Sequence, residues 1–218
     1  MCIRDRAIYG VTGGAGASTL ALTLAAAGAE AGLDSLALTG DRNVAEARLG
    51  LTAQGITRQL APHLTVVYTE DTDWHPAQAY TLSVEDGARD AEVRGPVVLV
   101  TRPTGVGRVA TVRVAAEIQQ AGGQVLHLVV VGDGSLEPSE LVARVADAGV
   151  RLPYTVLPND PHVDLLNDTQ GHALAAPRYS VAVRALARDL WPDLPWPVEE
   201  KETEKAGRPA APGLGNRL

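Results

Sequence analysis

A short apolar run, Ala7-Ile8-Tyr9, leads into a glycine-rich turn, Gly13-Gly14-Ala15-Gly16-Ala17-Ser18-Thr19, and then into an alanine/leucine run that reaches Ala31. Alanine and leucine are strong helix formers, so the order reads strand, tight loop, helix. That order suits a phosphate-binding loop. Backbone N–H groups of the turn and of the first helical turn point at an anion, and the helix dipole favours negative charge there. Glycines let the backbone come close to a phosphate, and Ser18 or Thr19 stands where a hydroxyl reaches Mg²⁺. The pattern G-x-x-x-x-G-K-[ST] is not met, because Ala17 occupies the lysine position.

A chain of 218 residues with 45 % apolar residues is long enough to bury the core of one α/β domain. With no phenylalanine, Val, Leu and Ala must fill that core. A net charge of −7 argues against a surface dominated by nucleic-acid contacts. No apolar run reaches the length of a membrane span, and no signal peptide opens the chain. The single cysteine, Cys2, rules out an intrachain disulfide framework and fits a reducing, cytoplasmic setting. Met1 to Arg6 resembles translated adapter sequence and is read as a leader foreign to the domain.

Beyond the loop, Gly32 reads as a helix-ending glycine and Ser35–Thr39 as a second buried strand. Asp41 follows that strand at its C-terminal end, where open α/β sheets place ligands. Residues 56–60 predict a short helix and Leu64–Thr69 a third strand, followed by Glu70 and Asp71. The segment from Pro76 to Gly95 is polar and predicts partial helix. Val97–Thr101 and Val125–Val131 are continuous apolar runs, as buried parallel strands are. They alternate with predicted helices over 106–121 and 138–148, then a strand over 152–157 and a closing helix over Tyr179–Leu190. The prediction is a doubly wound, mainly parallel sheet with helices on both faces. The domain is expected over 7–191, and the Pro-rich, charged stretch 192–218 reads as a disordered tail. That tail lacks the apolar spacing of a membrane-surface helix. The five histidines show no zinc-ligand spacing and read as structural.

Thr12 to Thr19 resembles the variant loop of ParA/MinD-like P-loop ATPases, K-G-G-x-G-K-[ST]-T. Gly13, Gly14, Gly16, Ser18 and Thr19 match it, while Thr12 and Ala17 replace both lysines. Within that superfamily the loop is most similar to the CpaE/TadZ branch and its actinobacterial septum-site-determining relatives, whose loops often read G-G-x-G-A-[ST]-T. The run Val97 to Pro103 resembles the strand leading to the T-x-P-E segment of MinD-like proteins. Pro158-Asn159-Asp160 resembles the P-x-D loop along the adenine. The likeness spans Ile8 to Leu190.

The resemblance implies that ATP is cradled by residues 13–19, with Pro158 and Asp160 near the base and Mg²⁺ held by Ser18 and an aspartate closing an apolar strand. Asp71 is the candidate for that aspartate. It implies Asp41 as the switch I aspartate that orients water or Mg²⁺; the alternative for Asp41 is a helix cap. The asparagine that reads adenine in the family is replaced, since Gly132-Asp133-Gly134 follows the strand there. It further implies a homodimer that works with protein partners of a division, partition or secretion system. Two other readings stand beside this one. A chain that has lost both lysines suits a nucleotide-free pseudo-ATPase scaffold. The string VTGGAG also resembles the opening of NAD(P)-binding Rossmann proteins, with Asp41 as ribose ligand. That fingerprint wants a third glycine where Thr19 stands, and no tyrosine begins a Y-x-x-x-K motif.

Overall fold

The computed structural model of the protein describes residues 5–51, 56–71, 74, 76–87, 96–160, 163 and 177–197. The glycine loop joins β1 (Asp5–Gly10) to α1 (Ala17–Glu30). Then come β2 (Ser35–Thr39), α2 (Arg42–Leu49), the hairpin β3 (Ile56–Ala61) and β4 (Leu64–Tyr68), and β5 (Leu82–Gly87). The second half runs β6 (Pro96–Thr101), α3 (Gly105–Gln120), β7 (Gln124–Val131), α4 (Pro138–Asp147), β8 (Tyr154–Leu157) and α5 (Pro177–Leu190). The strands form one eight-stranded sheet in the order β3-β4-β2-β5-β1-β6-β7-β8. Every pairing is parallel except β3 with β4, so the doubly wound, mainly parallel sheet is as expected.

Two cores form, one on each face. Residues of α1, α2 and α5 bury one face with Ile8, Val66, Leu82, Val84 and Val98 of the sheet. Residues of α3 and α4 bury the other with Val97, Leu99, Leu128 and Val130. Helix α1 is apolar nearly all round because it is covered nearly all round: Thr19 to Ala29 are all buried. Its approach to β5 is close enough that a Cβ on Gly28 would lie 2.5 Å from Leu82 Cδ2 and 2.6 Å from Ser35 Oγ. The helix ends at Gly32 (φ 78°), whose N–H reaches Ala29 O while Leu33 N–H reaches Gly28 O.

Two local expectations are corrected. Residues 56–60 are not helical; they form the edge strand β3, antiparallel to β4, with Ile56 opposite Tyr68 and Ala61 opposite Leu64. Pro62 and His63 make the turn, and His63 takes φ 62°, a conformation His tolerates better than most residues. The stretch Leu82–Gly87 inside the supposedly helical polar segment is β5, a strand at the centre of the sheet. Its residues alternate: Leu82, Val84 and Asp86 are buried while Glu85 is exposed. The remainder of that segment, 88–95, lies outside the described residues, as does the tail from 198 onward.

At the two ends the fold uses residues beyond 7–191. Asp5 and Arg6 pair in register with Ser83 and Val84. The Arg6 guanidinium stands 5.9 Å from the centroid of the Trp191 ring, and Leu194 is buried beyond it.

Candidate functional site

In a parallel sheet all strand C-termini open on one edge, and here that edge carries the glycine loop and every predicted site residue. Val11 N–H donates to Val100 O at 3.0 Å, which ties the end of β1 to β6 as the loop begins. Gly14 (φ 70°) and Gly16 (φ 94°) take the left-handed conformations that glycine alone adopts cheaply. Beside Gly14 the space is open: a Cβ there would find no atom within 4 Å. Ala15 turns its side chain into the core, being 2 % exposed.

The first turn of α1 has an anion-seeking end. Its cap residue is Gly16, which brings no side chain to the leading N–H groups, and no acidic residue stands in the first turn. N–H donors and the positive pole of a helix are what a phosphate requires, and this helix start offers both. The same helix start separates the two hydroxyls. Thr19 is buried within the helix, whereas Ser18 borders a small cavity of about 10 Å³ that it shares with Thr39 and Asp86.

Asp86 is the residue that reading the sequence missed. It is the penultimate residue of β5, the strand beside β1, and its Cα stands in register with Thr39 of β2. It is 8 % exposed, and Thr39 Oγ1 donates to its Oδ2 at 3.0 Å. Asp86 and Ser18 carry hard oxygens of the kind Mg²⁺ accepts, at a cavity otherwise lined largely by Ala21, Leu22, Leu38, Val44 and Val66. The signal was present in Leu82-Ser83-Val84-Glu85-Asp86, an alternating strand closed by an acid.

Asp71 is placed elsewhere. It follows β4, which is separated from β1 by β2 and β5, roughly 14 Å across the sheet at the usual strand spacing. Its N–H donates to Thr69 Oγ1 at 3.0 Å, and its carbonyl accepts from Trp74 N–H. Asp41 is the N-cap of α2: Oδ1 accepts from Asn43 N–H at 2.8 Å and Val44 N–H at 3.3 Å. Pro158 and Asp160 follow β8, with Asp160 buried. Gly132 (φ 71°) follows β7 and lies against Asn159, whose Oδ1 would be 3.8 Å from a Cβ on the glycine. Val131 in turn reaches the loop, its Cγ1 standing 3.7 Å from where a Cβ on Gly16 would be. Residues 13–19, the end of β7 and the Pro158 loop thus adjoin in sequence of contact, with Asp86 on the other side.

A second residue was also missed. Arg102, just beyond β6, donates from Nε to the Gly14 carbonyl at 3.0 Å. A cleft of about 640 Å³ opens between the end of β1 with Thr12 and α3 from Gly105 to Glu117, where Val106 and Val109 are exposed.

No family model matches the sequence, and no curated protein matches it. Solved structures do resemble the fold. MinD from Pyrococcus horikoshii, complexed with Mg-ADP, is 18 % identical with a TM-score of 0.67, covering 86 % of this chain and 95 % of that one. The MinC:MinD cell division complex of Aquifex aeolicus gives 14 % identity and a TM-score of 0.72, over 90 % of this chain and 98 % of that one. A ParA family ATPase from Chlorobium tepidum gives 14 % identity and 0.61, over 84 % and 97 %. The sheet order agrees with this likeness and not with a dinucleotide-binding sheet, where the first strand adjoins the second. Here β5 lies between β1 and β2. The chain therefore has the fold of the ParA/MinD-like P-loop ATPases.

Proposed function

We propose that this chain is a degenerate ParA/MinD-like nucleotide-binding protein, an ATP-responsive positioning or partitioning factor with weak hydrolysis or none. The observation that carries the reading is the left-handed glycine loop at Gly14 and Gly16 feeding an uncapped helix start, with Ser18 and Asp86 bordering one cavity. In this reading the N–H groups of residues 13–19 hold the phosphates. Ser18 and Asp86, rather than Asp71, support Mg²⁺, which when bound neutralises phosphate charge. Pro158 and Asp160 border the base. Asp41 orders the start of α2 as its cap and is not assigned to water.

Weak turnover follows from what the loop lacks. Phosphoryl transfer depends on positioned charge, and removing one preorganised stabiliser costs about 10²–10³ in rate. Thr12 and Ala17 remove two lysines at once. Nucleotide would then act as a conformational ligand of a homodimer that engages partners in septum placement, partition or pilus assembly, in the cytoplasm. The described residues contain no helix long and apolar enough to cross a membrane.

The same two losses favour a second reading, a scaffold that binds no nucleotide. Calorimetric titration of Mg-ATP into the parent and into Ala17→Lys separates them. Binding by the parent at micromolar concentrations supports the nucleotide-responsive reading. Binding only after Ala17→Lys assigns a scaffold, and binding by neither removes the phosphate-loop reading.

A further inference from the structure

We propose that Arg102 supplies the positive charge the loop itself lacks and contacts the terminal phosphates of the bound nucleotide. The inference rests on the nucleotide-binding reading above and adds a binding residue that no motif in the sequence marks. From Thr12 to Thr19 the loop contains no charged side chain. Arg102 comes to it from 88 residues away, and its Nε–H bonds the carbonyl of Gly14. Gly14 is exposed, with no atom within 4 Å of its missing Cβ.

The anchorage of Arg102 is rigid. Thr104 N–H donates to the Arg102 carbonyl at 2.8 Å, and Leu136 N–H donates to the Pro103 carbonyl at 2.9 Å. Gly107 and Gly134 press so closely on this turn that a Cβ on either would stand 2.3 Å from Arg102 O or 2.2 Å from Pro103 O. The side chain itself is exposed and bonds the loop from a fixed base.

Its electrostatic setting asks for an anion. Arg102 stands three residues before the start of α3, and its guanidinium bonds Gly14, three residues before the start of α1, so it lies towards the positive poles of both helices. A cation at a helix N-terminus is disfavoured unless negative charge is shared there. Among the described residues no carboxylate forms an ion pair with Arg102. One of its five N–H groups is used on Gly14, and the fork of the other four matches phosphate oxygens. A residue that only braced the loop would need a donor but no charge. That difference is testable.

The test titrates Mg-ATP, Mg-ADP and AMP into the parent, Arg102→Gln, Arg102→Lys and Arg144→Ala. Glutamine keeps a donor for the Gly14 carbonyl without charge; Arg144, on the outer side of α4, controls for general charge loss. The proposal expects Arg102→Gln to weaken Mg-ATP about tenfold or more, Mg-ADP less and AMP little, with Arg102→Lys recovering part of the loss. Arg144→Ala should bind as the parent does. If Arg102→Gln binds Mg-ATP like the parent, or weakens all three ligands alike, Arg102 is a brace and only the nucleotide reading survives. If the parent binds none of the three, the nucleotide reading fails and this assignment falls with it.

Discussion

At Gly16 the working part of the residue is its backbone. With φ 94°, any side chain strains the backbone, although a Cβ itself would meet Val131 Cγ1 at an ordinary contact distance of 3.7 Å. A β-branched residue at positive φ is the worst case, and the cost is about 1–2 kcal/mol for the backbone alone. Gly16→Val should therefore lower the melting temperature by several degrees and abolish Mg-ATP binding in calorimetry. Retained binding would show that the phosphates do not rest on this loop. Asp86 makes the complementary case, where charge matters and shape does not. Asp86→Asn keeps the volume and an acceptor for Thr39 Oγ1, which donates to Oδ2 at 3.0 Å. The expected result is ATP affinity that no longer responds to Mg²⁺, while Asp71→Asn leaves the Mg²⁺ response intact. The reverse pattern would return the metal-supporting role to Asp71.

Among the elements, α3 shows how a single position can hold the site in place. Gly107 lies in its first turn under the Arg102 carbonyl, and its N–H is capped by Thr104 Oγ1 at 2.9 Å. Overpacking against backbone cannot relax as it can against a flexible side chain, and costs about 1–3 kcal/mol. Gly107→Ala should lower the melting temperature by about 2–4 °C per kcal/mol lost, whereas Gly105→Ala, with nothing within 4 Å, should leave it level or raised. Equal effects in thermal unfolding would show that this turn is not tightly seated. The elements also show why some were legible in the sequence and others were not. β6 and β7 announce themselves as continuous valine and leucine runs because both faces are covered. β5 has only one covered face, towards α1, so exposed Glu85 and half-buried Ser83 make it read as polar. That disguise also hid Asp86 and moved the metal assignment to the strand end that looked most apolar. β3 failed for another reason: an edge strand with Thr57, Arg58 and Gln59 in its middle carries little burial signal, and only its pairing with β4 defines it. Arg102 was invisible because nothing in a T-R-P string tells which loop it meets across the sheet.

On the scale of the whole molecule, α1 is held between the sheet and α5, so the phosphate loop is attached to the best-buried helix of the fold. Arg184 of α5 reaches Glu30 at the far end of α1 at 2.8 Å, but both side chains are substantially exposed, so the pair adds at most about 1 kcal/mol. Stability at this interface rests on burial, and at the β7–β8 edge burial brings sensitivity to acid through His127. That residue is 7 % exposed on β7, with its Nε2 at 2.9 Å from Thr155 Oγ1 of β8. Burial holds its pKa below the ordinary 6.5, partly opposed by the charge of Asp189 on α5. A histidine with a depressed folded pKa binds its proton more readily in the unfolded chain. Its contribution to stability is therefore fully present above about 6.5 and is lost as pH falls from that value towards the lower folded pKa. Melting curves of the parent between pH 7.5 and 5.5 should fall more steeply than those of His127→Gln, which has nothing to protonate there. Parallel curves would mean that water reaches the imidazole in the folded protein and that the β7–β8 edge, where the Pro158 loop begins, is looser than its packing implies.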